Sequence, residues 1–392
     1  MRRATGVLTA AILVSAMAAP ASALPLFTRQ YRVKCATCHT SPPHLNRVGR
    51  TFLANNFNFP GGKQAGGTVP LSVLADFSYR KDISHAGGGA DREQTSFRNL
   101  FLLTGGTFPI AGRRRGTYFI KTLITRSLSE SPAGSLGQAY VFLPVSREGR
   151  VTVGFGNTAP VMYQWNLANS LSENLPLALS TGVGNLPGGS SGGGGPYPYG
   201  GPFPLTASGG GAAAHPFSLG TPAPSVRLDY FSHRGQGTAD GLYASVVVPF
   251  EGTLEFNDGT HLGSANGVFF NVWMRQGSWS AGPYVWTKAG HSLSGLIATY
   301  DVGSRLYLLG VFGAFVDEAG SGRLLSLEAD WIPHPQLAVF LRLDHAAGSM
   351  PADGVDAGIS FYPEPNHIVR FFLEANRVRG RRAWLAGARL QY

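Results

Sequence analysis

Leu337-Ala338-Val339-Phe340-Leu341-Arg342-Leu343-Asp344-His345 places Leu337, Val339, Leu341 and Leu343 on one face and Phe340, Arg342 and Asp344 on the other. A strict period of two marks a β-strand. The stretch 366–377 repeats it, with Val369, Phe371, Leu373 and Ala375 against Arg370, Phe372, Glu374 and Asn376. In 323–331, Leu325, Leu327, Ala329 and Trp331 oppose Ser326, Glu328 and Asp330. A soluble sandwich also alternates. Charges at strand centres on one face and unbroken apolar runs on the other instead fit a wet lumen inside a lipid-facing wall. The expected fold is all-β, a transmembrane antiparallel β-barrel.

Working outward from these stretches gives about sixteen strands, an even number as in single-chain bacterial barrels. They lie near 70–82, 94–105, 115–127, 136–147, 150–157, 225–232, 240–250, 266–276, 279–289, 293–302, 304–316, 322–332, 335–346, 354–362, 366–377 and 382–392. Tight turns at Glu148-Gly149, Gln276-Gly277-Ser278, Val302-Gly303, Pro333-His334-Pro335 and Pro363-Glu364-Pro365 each follow an even-numbered strand. Longer connections mostly follow odd-numbered ones. Outer-membrane barrels have short periplasmic turns and longer outside loops, so this parity puts both ends of the barrel on the periplasmic side. The turn with Arg113, Arg114 and Arg115 is the long one on that side. The last strand carries Trp384, Ala386, Ala388, Leu390 and Tyr392 on one face and ends on an aromatic, which resembles an outer-membrane sorting signal.

Composition agrees. Only 14% of the 392 residues are charged, where a soluble chain has about 25%, while aromatics reach 11% and glycine 53 residues. No later run of about 18 apolar residues offers a transmembrane helix. The formal charge of +10 has no basic stripe interleaved with stacking aromatics, so nucleic acid is not an expected partner. General solubility or contact with lipid headgroup phosphates is the expected use of that charge. The basic group Arg377, Arg379, Arg381 and Arg382 suits lipid phosphates better than a cation-collecting rim. Residues 1–23 read as a signal peptide: Arg2 and Arg3, an apolar run from Val7 to Ala19, then Ala21-Ser22-Ala23 as a cleavage pattern.

Residues 24–68 form a separate first region, and the barrel occupies 69–392. The first region holds the only two cysteines, in Cys35-Ala36-Thr37-Cys38-His39. Cys-x-x-Cys-His is the spacing for covalent haem c, with two thioethers and an adjacent imidazole for the iron. A structural zinc site wants four ligands. A plain disulfide or a redox dithiol remains the competing reading. His39 is the expected proximal ligand. Candidates for the distal position are His44, Met162 and His215, with an open or water-ligated iron as the alternative. Met274 and His345 fall on the outer face by alternation. Residues Leu45, Val48, Phe52 and Leu53 recur at helical spacing and predict a short helix, packed on the porphyrin or on the barrel mouth. Gly61-Gly62 and Gly66-Gly67 make a linker.

The stretch 159–225, with its Gly-rich runs and Pro196, Pro198, Pro202 and Pro204, is too long for an ordinary loop. It reads first as a surface loop. The alternative is a loop folded into the barrel. Asp258, Asp317, Glu318 and Asp353 are loop acids that suit solvation, with attraction of Fe(II) as their functional alternative.

Taken together, Phe27-Thr28-Arg29-Gln30-Tyr31, the motif at 35–39, Leu45-Asn46, Gly49-Arg50-Thr51-Phe52 and Asn55-Asn56-Phe57-Asn58-Phe59-Pro60 resemble the fused outer-membrane cytochrome–porins of iron-oxidising bacteria. About 35 residues carry the resemblance at motif level. It implies one covalent haem c on Cys35, Cys38 and His39, with the first region plugging or capping the barrel. It also implies electron transfer from extracellular Fe(II) to a periplasmic electron carrier. Outward electron transfer, and a solute porin with a haem-bearing plug, are the alternatives.

Overall fold

The computed structural model describes residues 26–42, 44–59, 71–83, 92–110, 115–125, 135–146, 148–163, 178, 219, 223–250, 264–317, 320–348, 351–364, 369–378 and 381–391. The first region folds as helix α1 (Leu26–Tyr31), a 3-10 turn (Cys35–Thr37), a small hairpin of β1 (His39–Ser41) and β2 (His44–Leu45), and helix α2 (Arg47–Ala54). The predicted helix is there but starts two residues later, because Asn46 caps it and Leu45 pairs with His39.

The barrel begins with β3 (Leu71–Ile83), β4 (Arg92–Pro109), β5 (Arg115–Thr125), β6 (Ser135–Pro144), β7 (Val151–Thr158), β8 (Ala223–Phe231), β9 (Gly241–Pro249) and β10 (Val268–Gln276). It continues with β11 (Trp279–Lys288), β12 (His291–Val302), β13 (Leu306–Asp317), β14 (Gly320–His334), β15 (Leu337–Gly348), β16 (Ala352–Phe361), β17 (Val369–Val378) and β18 (Arg381–Gln391). Every neighbouring pair is antiparallel, and β18 pairs with β3 to close the sheet. Closure satisfies the strand hydrogen bonds that lipid cannot. No described helix is long and apolar enough to cross a membrane.

Side-chain placement is inverted relative to a soluble protein. Val272, Val285, Leu296, Phe312, Leu327, Leu341, Leu343, Val355, Ile359 and Leu373 face outward and are exposed. Arg227, Asp229, Glu328, Asp330, Arg342, Asp344, Asp356 and Glu374 face inward and are buried. Glu328, Arg342 and Asp356 stand in direct register across β14, β15 and β16. The Arg342 guanidinium lies 2.9 Å from Asp344, 2.8 Å from Asp356 and 3.4 Å from Glu328. A single cation thus neutralises a wall of carboxylates. Met274 and His345 are outward-facing and exposed, as alternation requires.

Two expectations about connections need revision. At the end bearing the chain's entry into β3 and the exit from β18, connections are short throughout: 110–114, 145–150, 232–240, 277–278, 303–305, 335–336 and 362–368. The opposite end has 159–222 and 250–267, but also 289–290, 318–319 and 379–380. Length asymmetry therefore holds only for the first half of the barrel. In the second half the glycines at strand ends, such as Gly320, Gly322 and Gly348, pair within the ladders instead of making loops. Second, the stretch 159–225 is not simply a surface loop. Its described residues Val161, Met162, Tyr163, Ala178 and Leu219 are buried against inward-facing wall residues, and the Ala178 amide donates to Ser326 Oγ at 3.0 Å.

Candidate functional site: a cysteine-bearing plug in the barrel mouth

The first region is folded inside the short-turn end of the barrel. Each of its parts is tied to a different piece of wall. Tyr307 OH, near the start of β13, donates to Thr40 Oγ1 at 2.9 Å. Tyr362 OH, just past β16, donates to the Pro42 carbonyl. Arg50 reaches Asp301 near the end of β12 at 2.6 Å, with Arg275 3.7 Å from the same carboxylate. Asn55 Oδ1 accepts from the Gly235 amide in the turn between β8 and β9. From the far side, Tyr163 OH donates to Asn56 Oδ1 at 2.6 Å. The plug is therefore held between wall and infolded loop.

Apolar packing fills the remaining seam. Leu26 of α1 sits against Gly105 of β4, where a Cβ would come 3.2 Å from the leucine and 3.0 Å from the Tyr118 carbonyl. Phe27 packs edge-on to Phe52 at 4.9 Å and stacks on Phe57 at 5.3 Å. Phe57 in turn stacks on Phe119 of the wall at 6.1 Å. Offset and edge-on rings of this kind each add about 0.5–1.5 kcal/mol beyond area burial.

Within the plug, the Cys-x-x-Cys-His stretch is a single locked turn. The Thr37 amide donates to the Lys34 carbonyl and the Cys38 amide to the Cys35 carbonyl, both at 3.0 Å. Asn46 then clamps it from the side. Its amide donates to the Cys38 carbonyl at 2.9 Å, and its Nδ2 donates to the Ala36 carbonyl at 3.2 Å and the Thr37 carbonyl at 3.1 Å. Its Oδ1 simultaneously accepts from the Gly49 amide at 3.0 Å and so caps α2. Gly49 lets the helix lie directly on the turn: a Cβ there would stand 2.1 Å from the Cys38 carbonyl oxygen.

Cys35 is buried, Cys38 is half-buried, and they are not joined in a disulfide. Burial pushes both thiols up to about 11, which disfavours the thiolate form. Among the described residues no cluster of three or more His, Cys, Asp or Glu could hold a bare metal ion. Two separate thiols and a following half-buried imidazole on one fixed turn are the donor set that a thioether-linked haem requires. Cys35, Cys38 and His39 are thus the residues that fit this group.

The distal candidates are placed differently. His44 is only 2% exposed and turned to the wall, stacked on Tyr307 at 4.2 Å with its Nε2 2.7 Å from Asp330. Burial pushes its imidazole down to about 4. Met162 is buried with Leu53, Ala54, Tyr140 and Phe142 at the inner end of α2. His215 lies outside the described residues, as do Asp258, Glu318, Arg113, Arg114 and Arg379. Asp353 is exposed at the outer end and bonded to His345 at 2.6 Å. Arg115 donates to Thr107 Oγ1 at 2.8 Å. Arg377 and Arg382 are exposed and directly opposed across β17 and β18. The anchors Asp301, Tyr307, Asp330 and Tyr362 were not singled out by sequence, although alternation does put Asp330 on the inner face.

In architecture the chain is similar to solved porins. The OmpF porin of Salmonella typhi in complex with daunomycin shares 11% identity, 83% of this chain, 98% of that chain and a TM-score of 0.54. The anion-selective porin from Comamonas acidovorans shares 13% identity, 83% of this chain, 99% of that chain and a TM-score of 0.56. At such identities the likeness is one of fold. No family model matches the chain, and no curated protein matches it in sequence. The closed sixteen-stranded sheet and its apolar exterior make it a barrel of the Gram-negative outer membrane.

Proposed function

We propose that this outer-membrane barrel is an electron-transfer protein, in which one c-type haem on the plug takes electrons from extracellular Fe(II) and passes them to a periplasmic carrier. The observation that carries the reading is the turn of residues 35–39, held rigid by Asn46 and Gly49 inside the barrel mouth. Once attached through Cys35 and Cys38 with His39 on its iron, the haem supplies the one-electron chemistry. The chain supplies position and access. Asn46 fixes the turn, Arg50 and Thr40 fix the plug to the wall, and Tyr163 closes over the inner end of α2. Each Fe(II) gives up one electron and becomes Fe(III) without entering the cell. The electron leaves on the carrier at the periplasmic, short-turn mouth where the plug sits. The resemblance of residues 27–60 to the cytochrome–porins agrees with this direction of flow.

The same residues serve outward transfer if the potentials run the other way. The likeness to porins favours a second reading, a solute channel whose haem-bearing plug caps the pore. Anaerobic addition of Fe(II) to the purified protein separates them. Rapid reduction of the haem band at working pH supports iron oxidation. An unchanged band, together with ion conductance in planar bilayers, supports the channel.

A further inference from the structure

Residues 24–68 contain Arg29, Arg32, Lys34, Arg47, Arg50 and Lys63, with no Asp or Glu. The inner part of this cationic plug meets acidic wall, as Arg50 does at Asp301 and His44 at Asp330. Its outer part does not. Arg32, Lys34 and Arg47 are exposed and make no ion pair with any described residue. They flank the cysteine turn in the chain, and Cys35 lies within electrostatic reach of Glu364 on the turn after β16. Arg305, exposed on the turn between β12 and β13, adds a further cation at the same rim. In their midst Ala36 and Val48 are also exposed, Val48 at 43%.

Exposed cations beside a small exposed apolar surface have the makings of a protein-docking site, with charge to steer the encounter and apolar surface to hold it. Arg32 adds an independent mark. It follows α1 in a left-handed conformation, φ 53°, where glycine is the usual residue. Keeping an arginine there costs about 1 kcal/mol, which is consistent with a used side chain. Lipid is the poorer occupant, because these groups stand over the lumen and not on the lipid-facing flank of the barrel.

We infer that the plug's mouth-facing surface, centred on Arg32, Lys34, Arg47 and Val48, docks an acidic soluble protein of the periplasm. The inference rests on the functional reading above and adds the place and charge of the acceptor. Docking beside residues 35–38 puts the partner against the edge of the plug that carries the thiols. It leaves Asp301 and Asp330 to hold the plug in place.

The test uses the full-length protein in neutral-lipid nanodiscs, with a soluble acidic c-type cytochrome as probe and a basic one as control. The association rate of the acidic probe should fall on the order of tenfold from low to high salt. It should fall by a similar factor at low salt in the combined Arg32→Gly, Lys34→Gln and Arg47→Gln variant. Arg32→Gly relieves the left-handed residue, and unchanged hydrogen exchange in α2 checks that the variant keeps its fold. Unchanged association in the variant overturns the inference. So does equal binding of the basic probe, or charge-dependent capture of phosphatidylglycerol vesicles in place of the acidic protein. Docking retained without an Fe(II) response counts against the functional reading alone. An Fe(II) response retained without docking counts against this inference alone.

Discussion

Replacing Gly49 by alanine strikes the one place where helix and cysteine turn touch without any side chain between them. The added Cβ would stand 2.1 Å from the Cys38 carbonyl oxygen, 2.9 Å from its carbon and 2.9 Å from Leu45 Cδ2. A carbon rests about 3.3 Å from a carbonyl oxygen, so α2 must retreat by about 1.2 Å. The obstacle is backbone, already fixed by the Asn46 amide, and cannot swing aside. Overpacking of this kind costs about 1–3 kcal/mol, and here the upper end applies. Alanine returns up to about 1 kcal/mol of helix propensity. The net loss is about 2 kcal/mol, confined to the plug. Hydrogen exchange in α2 and the turn should accelerate about thirtyfold while β12, β13 and β14 keep their protection. Gly310→Ala in the wall is the control, since its Cβ meets nothing closer than 3.4 Å. Equal acceleration of wall and plug, or none in either, would refute the view of the plug as a separately locked unit.

Three further outcomes follow from the wall and its contacts. Leu341→Arg puts a charge on the outward face, where Leu341 is 49% exposed near the middle of β15; it should destabilise folding into bilayers by about 2–4 kcal/mol, whereas the same change in a soluble sandwich would be nearly neutral. Arg342→Met strands Glu328, Asp344 and Asp356 without their shared cation, and should cost about 3–5 kcal/mol in urea-gel melting, with partial recovery when one of these acids is also neutralised. His44 is held at about 4 by burial; Glu328 and Asp301 pull it upward, Arg50 and Arg370 downward, and Asp330 faces it at 2.7 Å. A lowered base is neutral when folded, so the unfolded chain binds the proton first. Plug stability is therefore complete above about pH 6.5 and declines toward pH 4, by at most about 3 kcal/mol because Asp330 opposes the shift. Limited proteolysis of the plug across that window checks the sign, and a flat profile contradicts it.

Most of the barrel is legible in the chain because lipid enforces period-two alternation on every strand. The sixteen segments expected from sequence occur in the same order and pair as neighbours. Errors gather where glycine is ambiguous: Gly320 falls between the expected strands 304–316 and 322–332 yet pairs with Asp317. The cysteine motif is legible for a different reason, since the thioether linkage proposed for it would demand both residue type and spacing. What holds the plug is not legible. Alternation shows that Asp330 and Glu328 look into the lumen, but not that Asp330 meets His44 nearly three hundred residues earlier in the chain. The two bonds from Asn46 back to residues 36 and 37 depend on tertiary closure. The burial of Val161, Ala178 and Leu219 against the inner wall is equally hidden, because they lie in sequence without any period.

The central claim, a porphyrin tethered to a plug in an outer-membrane barrel, is tested most directly by the alkaline pyridine haemochrome spectrum of the acid-acetone-extracted, purified protein. The account predicts a c-type spectrum at one haem per chain, lost together in Cys35→Ser with Cys38→Ser. A colourless wild-type protein, matured in a host competent for haem attachment and running as a folded barrel, would contradict it.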